Sequence, residues 1–334
     1  MKINKFIYRS ALAAVLGFAS VSCGDFLDKP GEDQYNNDNF YANDAQCNQG
    51  VYYLYNSPWY DFQRGFIKVG EVMSGNMYWG SSPYLTFTLQ GTDTDLTNMS
   101  ASLWSVIGHC NQVYNNIAKA EGPSVATKNA TMGECLTLKA LAYFFLVRTF
   151  GDVPLIHDNT AELEGGSYND INKVEKADIY EYIIMTLEKA MELLPPSADA
   201  GRIDYYCAEG LLAKVYLTRA GLGMQGSRNE ADLQAAARYA KDVIDNSGRH
   251  LLDNYGDVFR LANNKSEESL IAWRWTVNGS HWTRQNTLQS DLAPQGFDEN
   301  GDCWGGWGGP SVDLQDAFGV SPLDEPSSRI DVDT

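Results

Sequence analysis

Apolar positions repeat with helical spacing through the middle of the chain. Between Lys128 and Phe150 they include Leu138, Leu141, Ala142, Phe145 and Leu146, a stripe that Gly151 and Pro154 stop. Asp178 then caps a predicted helix whose Ile179, Ile183, Leu187, Ala190 and Leu194 share one face, ended by Pro195-Pro196. A third helix is predicted over 203–220, with Ala208, Leu211, Leu212, Val215 and Tyr216 on one side. A fourth, over 230–246, aligns Leu233, Ala236, Ala237, Ala240, Val243 and Ile244, with Gly248 just past its end.

The first and third helices resemble each other. Leu141, Phe145, Leu146 and Gly151 map onto Leu211, Val215, Tyr216 and Gly221. Small residues with one aromatic per helix suggest tetratricopeptide-like hairpins, the first unit lengthened by a loop near 151–176. The expected fold is mainly α, built of such hairpins with irregular loop regions and a few short strands. Gly221-Leu222-Gly223-Met224-Gln225-Gly226 matches G-x-G-x-x-G, but it follows a helix and precedes a polar turn. A dinucleotide fingerprint needs a strand before it, so a Gly-rich connection between helices is the better reading.

The N-terminus reads as an address. Residues 1–22 carry Lys2, Lys5 and Arg9, no acid, and a small-apolar stretch from Ala11 to Val21, too short to span a bilayer comfortably. Ser20-Val21-Ser22-Cys23 resembles a loose lipobox in which Cys23 is lipidated; an ordinary signal peptide with a structural Cys23 is the alternative.

Charge and cysteine content narrow the function classes. The 334 residues carry a formal charge of −18, and loss of three positive charges with the leader takes this to −21. Without a basic stripe, such a chain has no electrostatic footprint for nucleic acid. Five cysteines then remain, Cys47, Cys110, Cys135, Cys207 and Cys303, no two within three residues. An odd, dispersed set is neither a disulfide framework nor a zinc site, and buried thiols are expected.

Tryptophan is uneven. Trp104 is the single Trp between 80 and 272, whereas Trp273, Trp275, Trp282, Trp304 and Trp307 crowd a stretch rich in Gly, Asn, Ser and Asp. Tryptophan in Gly-rich loops suits recognition, and an indole offers a stacking face to the C–H side of a pyranose. Asn and Arg supply the hydroxyl partners. The first candidate platform is Met77-Tyr78-Trp79 with Asn76; the second is Trp282 with Asn278, Arg284 and Gln285. For Trp79 and Trp282, binding and packing are equally open. Trp304 and Trp307 are candidates that equally suit plugging a loop onto the body. Trp273-Arg274-Trp275 alternates like a strand with both indoles on one face, and core packing is favoured there.

Catalytic and metal motifs are thin. The four histidines, His109, His157, His250 and His281, have no clustered spacing, and neither G-x-S-x-G nor a P-loop occurs. Asp298-Glu299-Asn300-Gly301-Asp302 starts like a calcium loop, but the sixth position is Cys303 and the twelfth Gly309. A solvated turn is the default there, with calcium the lesser alternative; no other cofactor is expected.

Several of these pieces resemble the SusD/RagB family of outer-membrane nutrient-binding lipoproteins. They are Cys23-Gly24-Asp25-Phe26-Leu27-Asp28-Lys29-Pro30, the run from Lys139 to Leu155 with Phe150-Gly151-Asp152-Val153-Pro154, and Ile179-Tyr180 through Leu194-Pro195. Gly201-Arg202, Ala208-Glu209-Gly210-Leu211-Leu212-Ala213-Lys214-Val215-Tyr216-Leu217 and Ser266-Glu267-Glu268-Ser269-Leu270-Ile271 come after them in order.

The resemblance implies an α–α superhelix on four tetratricopeptide-like helix pairs, with loops carrying the ligand site. It implies a non-catalytic, surface-exposed lipoprotein of the cell outer membrane. Such a protein captures an oligosaccharide and delivers it to a SusC-like TonB-dependent transporter, with Asp25 as the signal for surface display. Residues 1–22 are then the lipoprotein signal peptide and 23–334 one domain. Within it lie an N-terminal part (23–125), a tetratricopeptide-like core (126–250) and a loop-rich ligand-binding part (251–334). Family members usually continue further, so a C-terminal part is expected to be absent. A surface glycoside hydrolase using an acidic pair, a tetratricopeptide scaffold for protein partners, and peptide capture as in RagB-like members are the alternatives.

Overall fold

The computed structural model describes residues 40–80, 82–222, 227–276, 285–296, 303, 305–306 and 308–318, of which those from Ala42 onward belong to one compact unit. Cys23 and the rest of the N-terminal address lie outside the described residues, as do Asn278, Trp282, Arg284, Trp304, Trp307 and the calcium-like run 298–302.

The unit opens with α1 (Asp44–Tyr52), capped by the Asn43 side chain, and two 3-10 turns, Tyr53–Tyr55 and Ser57–Trp59. Helix α2 (Phe62–Ile67) widens into a π turn at Lys68–Val72 before strand β1 (Met77–Trp79) and the one-turn α3 (Pro83–Thr86). Two 26-residue helices come next, α4 (Thr94–Lys119) and α5 (Val125–Phe150), with Asp93 and Ser124 as N-caps. Gly151 ends α5 at φ +72, a conformation glycine adopts without steric cost. Short elements β2 (Val153–Pro154), α6 (Asn159–Glu164) and β3 (Lys173–Val174) lead to α7 (Lys176–Leu193), α8 (Tyr205–Arg219) and α9 (Glu230–Asn246). The described C-terminal part holds α10 (Leu288–Leu292), β4 (Gly308–Pro310) and α11 (Val312–Ala317).

Helices α4, α5, α7, α8 and α9 pack as successive neighbours. The antiparallel β2–β3 pair returns the chain to the end of α5, so α7 runs back along it. The result is mainly α, a superhelix of tetratricopeptide-like hairpins with irregular segments and short strands. Helix α5 is apolar enough to cross a membrane, at a mean hydropathy of 1.4, yet 72% of that stretch is buried. It is the core helix, clasped between α4 and α7.

Charged pairs fasten the frame. Arg219 on α8 makes a bidentate bridge to Asp232 on α9 and reaches Glu181 on α7, tying three helices with one guanidinium. Arg202, in the α7–α8 connection, pairs with buried Glu134 on α5, whose carboxylate also accepts a 2.5 Å bond from the Tyr55 hydroxyl. The same hydroxyl accepts from the Ile203 N–H.

Three local expectations change. Asp178 lies inside the first turn of α7, whose cap position is Glu175 with no side-chain capping bond. The third helix starts at Tyr205 because Asp204 caps it, bonding the Cys207 N–H. Residues 273–275 form no strand, since no neighbouring strand among the described residues offers them a ladder. Trp273 nonetheless packs half-buried on the core, its ring 5.6 Å from both Trp59 and Phe62. Cys47, Cys110, Cys135 and Cys207 are buried free thiols, as expected, and Cys303 is buried.

Candidate functional site

The first candidate platform sits on a small ladder. Met77 pairs with Pro310, Tyr78 with Gly309 and Trp79 with Gly308 in an antiparallel register. The strand is entered from Gly75 at φ +84 and left through Gly80 at φ +55. Asn76, exposed, completes the join: its carbonyl oxygen accepts from the Ser311 N–H at 2.8 Å. Gly308–Pro310 and Ser311 are therefore hydrogen-bonded to the strand carrying Tyr78 and Trp79 and to the residue before it. Two segments more than 220 residues apart in sequence are brought together by backbone pairing.

Glycine makes that approach close. A Cβ on Gly308 would stand 2.7 Å from the Tyr78 carbonyl oxygen, and one on Gly305 would stand 2.2 Å from that of Asp291. Gly305 also bridges to Pro294 and donates its N–H to the Ser290 carbonyl at 3.1 Å. Helix α10 is in turn held to α2 by Arg64, which grips the buried Asp291 carboxylate with Nε at 2.9 Å and Nη2 at 2.5 Å.

Successive side chains on a strand point to opposite faces, so Tyr78 and Trp79 project apart and one flat sugar ring meets only one of them. Tyr78 is exposed, whereas Trp79 is half-buried. The π turn places the Lys68 ammonium 5.4 Å from the Trp79 ring centre and 5.6 Å from that of fully buried Tyr84. Lys68 is also ion-paired with Asp95. The Tyr84 hydroxyl donates to Asp93 at 2.6 Å, and burial with that carboxylate pushes the phenol well above its ordinary range. Burial alone would raise Asp93, but the Tyr84 hydroxyl and the Leu96 N–H hold it below its usual value. The indole is thus mounted on a charged, hydrogen-bonded base.

One aromatic that sequence reasoning missed lies beside this base. Phe87 caps α3, which packs on the π turn, and is the non-glycine residue found at positive φ (+54) among those described. Its ring is 72% exposed. A bulky side chain in that conformation is a genuine outlier, and such strain concentrates at functional sites. The signal was an aromatic between two threonines, too common to single out.

Among the described residues, no group of three or more His, Cys, Asp or Glu could hold a metal.

Known proteins share this architecture. The chain matches the family model of SusD-like proteins, described as starch-binding and associating with the outer membrane, over residues 25–217. It is 36% identical over 300 residues to a SusD-like protein of Bacteroides ovatus, covering 88% of this chain and 54% of that relative. A crystal structure at 34% identity superposes with a TM-score of 0.78, over 84% of this chain and 55% of the other. Another, solved with a xylogluco-oligosaccharide, has a TM-score of 0.73 at 33% identity, over 81% and 55%. The chain spans about half the length of these relatives.

Proposed function

The chain belongs to the SusD-like family, and on that premise we propose that it binds an oligosaccharide at the cell surface and passes it to a SusC-like TonB-dependent transporter. The β1–β4 ladder carries the reading. It fixes the strand of Tyr78 and Trp79 against Gly308–Pro310 and so holds an exposed phenol and a half-buried indole in place, side chains of the kind on which a sugar ring stacks. The relative solved with a xylogluco-oligosaccharide supports it, and makes xyloglucan fragments the first ligand to try. Lipidation of Cys23 supplies the tether in this reading, and mass measurement of the mature N-terminal peptide tests it.

Electrophoresis of the protein through gels containing xyloglucan or other neutral polysaccharides tests the binding. Retardation by at least one glycan, without release of reducing sugar, is the expected result. Migration unchanged in every gel overturns the reading, and released sugar replaces it with a hydrolase.

A further inference from the structure

Lys139 lies in the middle of α5 with 4% of its surface exposed. An ammonium has three N–H donors, and this one has a single hydrogen-bond acceptor, the His157 carbonyl oxygen at a long 3.4 Å. The Tyr182 ring, centred 5.3 Å away, also faces it. Among the described residues no carboxylate pairs with it. Asp158 is engaged elsewhere, accepting from Asn115 Nδ2 at 2.8 Å and from the Thr160 and Ala161 N–H groups. A buried cation left without an anion is costly and is rarely left unanswered.

The ammonium borders a cavity of about 260 Å³ between α4, α5, α7 and the segment after β2. The lining has a pronounced charge bias. Lys139, Lys189 and His157 face it, with amide and hydroxyl groups from Asn115 and Thr186, and no Asp or Glu lines it. In a chain with 43 acids against 25 bases, a cavity with lysines and no carboxylate is the reverse of the average surface. Lys189 is paired with Glu192 at 2.7 Å, so Lys139 is the cation with its charge to spare.

We propose that this cavity is a binding site for a small organic carboxylate, of the size of a single hexuronate, with the Lys139 ammonium as its charge partner. The volume falls just below the roughly 300–1,000 Å³ usual for small-molecule sites, which suits one acidic sugar unit rather than an oligomer. The elements that build it are distinct from the β1–β4 ladder, so the two readings stand or fall separately.

Charge state offers a handle. The titratable and charged groups facing Lys139 are Cys110 and Tyr114 on α4, His157 and Asp158 after β2, and Tyr182 and Lys189 on α7. Burial lowers Lys139 to about 8, against the pull of Cys110 and Asp158. Burial pushes Cys110 and Tyr182 up to about 12, and the Glu192 bond holds Lys189 above its ordinary range. Lys139 is therefore the group brought into the range just above neutrality.

Calorimetric titration of the whole protein with glucuronate, galacturonate and acetate, and with glucose as the neutral control, tests the site at fixed ionic strength. At least one carboxylate is expected to bind saturably and glucose not to bind at the site. Lys139→Met should weaken the carboxylate about tenfold or more, while xyloglucan retardation is unchanged. Affinity for the carboxylate should fall about fivefold or more between roughly pH 7.5 and 9.5, and stay level in Lys139→Arg. Absence of saturable binding by all three acids, or full affinity in a folded Lys139→Met, overturns the proposal. Should that variant not fold, a level pH profile in the wild type does the same.

Discussion

Gly308 lies directly opposite Trp79 in the β1–β4 ladder, and the absence of a side chain is what lets the strands meet. Gly308→Val would drive a Cβ to within 2.7 Å of the Tyr78 carbonyl oxygen, so the strands must part. The overpacking costs about 1–3 kcal/mol locally, and glycan affinity should drop with it. The helical frame packs without β4 and should keep its far-ultraviolet dichroism. A folded Gly308→Val protein with unchanged xyloglucan affinity separates the ladder from the binding site.

Trp79 and Tyr78 point to opposite faces, which makes their contributions separable. Trp79→Ala removes the indole mounted over Lys68 and should cost about 2 kcal/mol or more in glycan binding, a loss of roughly thirtyfold. Tyr78→Ala should stay within about twofold of the wild type, because a ring stacked on Trp79 does not reach it. Equal losses in the two variants would place the ligand across the strand rather than on one face.

The helical frame was legible because its signals are local. Helix α9 runs Glu230–Asn246 as expected, although Ala237 and Ile244 of its stripe are exposed and Asp232 and Ala235 are buried instead; Gly151 stops α5 where the chain needs a positive φ. Helix α4 was not read, although it has 26 residues. Its stripe is broken by buried Ser102 and Asn111, whose partners, the Pro58 carbonyl and the Asn159 side chain, are more than 40 residues away. The site was half legible for the same reason. Aromatic crowding marked Trp79 and the Gly-rich run as candidates, but their pairing depends on a ladder no local pattern encodes. Strand-like alternation at Trp273 and Trp275 misled because alternation also suits a segment packed along a helical core.

Arg202 holds the frame together through Glu134, and its loss leaves a carboxylate 1% exposed. Arg202→Met should destabilise the protein by about 3–5 kcal/mol, since a buried charge without its partner is worse than none. Replacing both residues, Glu134→Met with Arg202→Met, should recover most of that. Urea unfolding of the single and double variants measures it, and a double variant no more stable than the single would show that the pair's neighbours, not the stranded charge, set the cost.

Glu209 on α8 gives the scaffold a pH dependence. It is 2% exposed, its Oε2 has no partner, and the Asp242 carboxylate of α9 faces it. Burial, then the charge of Asp242, raises it from 4.5 to about 7. The folded protein thus keeps a proton that the unfolded chain releases near its ordinary value. The stabilisation is complete below about pH 4.5 and is lost as pH rises through 7, on the order of 1–3 kcal/mol. Glu209→Gln carries a neutral amide that does not titrate and can donate to Asp242. The variant should therefore exceed the wild type in urea resistance at about pH 8 and match it near pH 5. The difference between the two proteins isolates this group from the many other acids, and a gap of the same size at both pH values would assign it to packing instead.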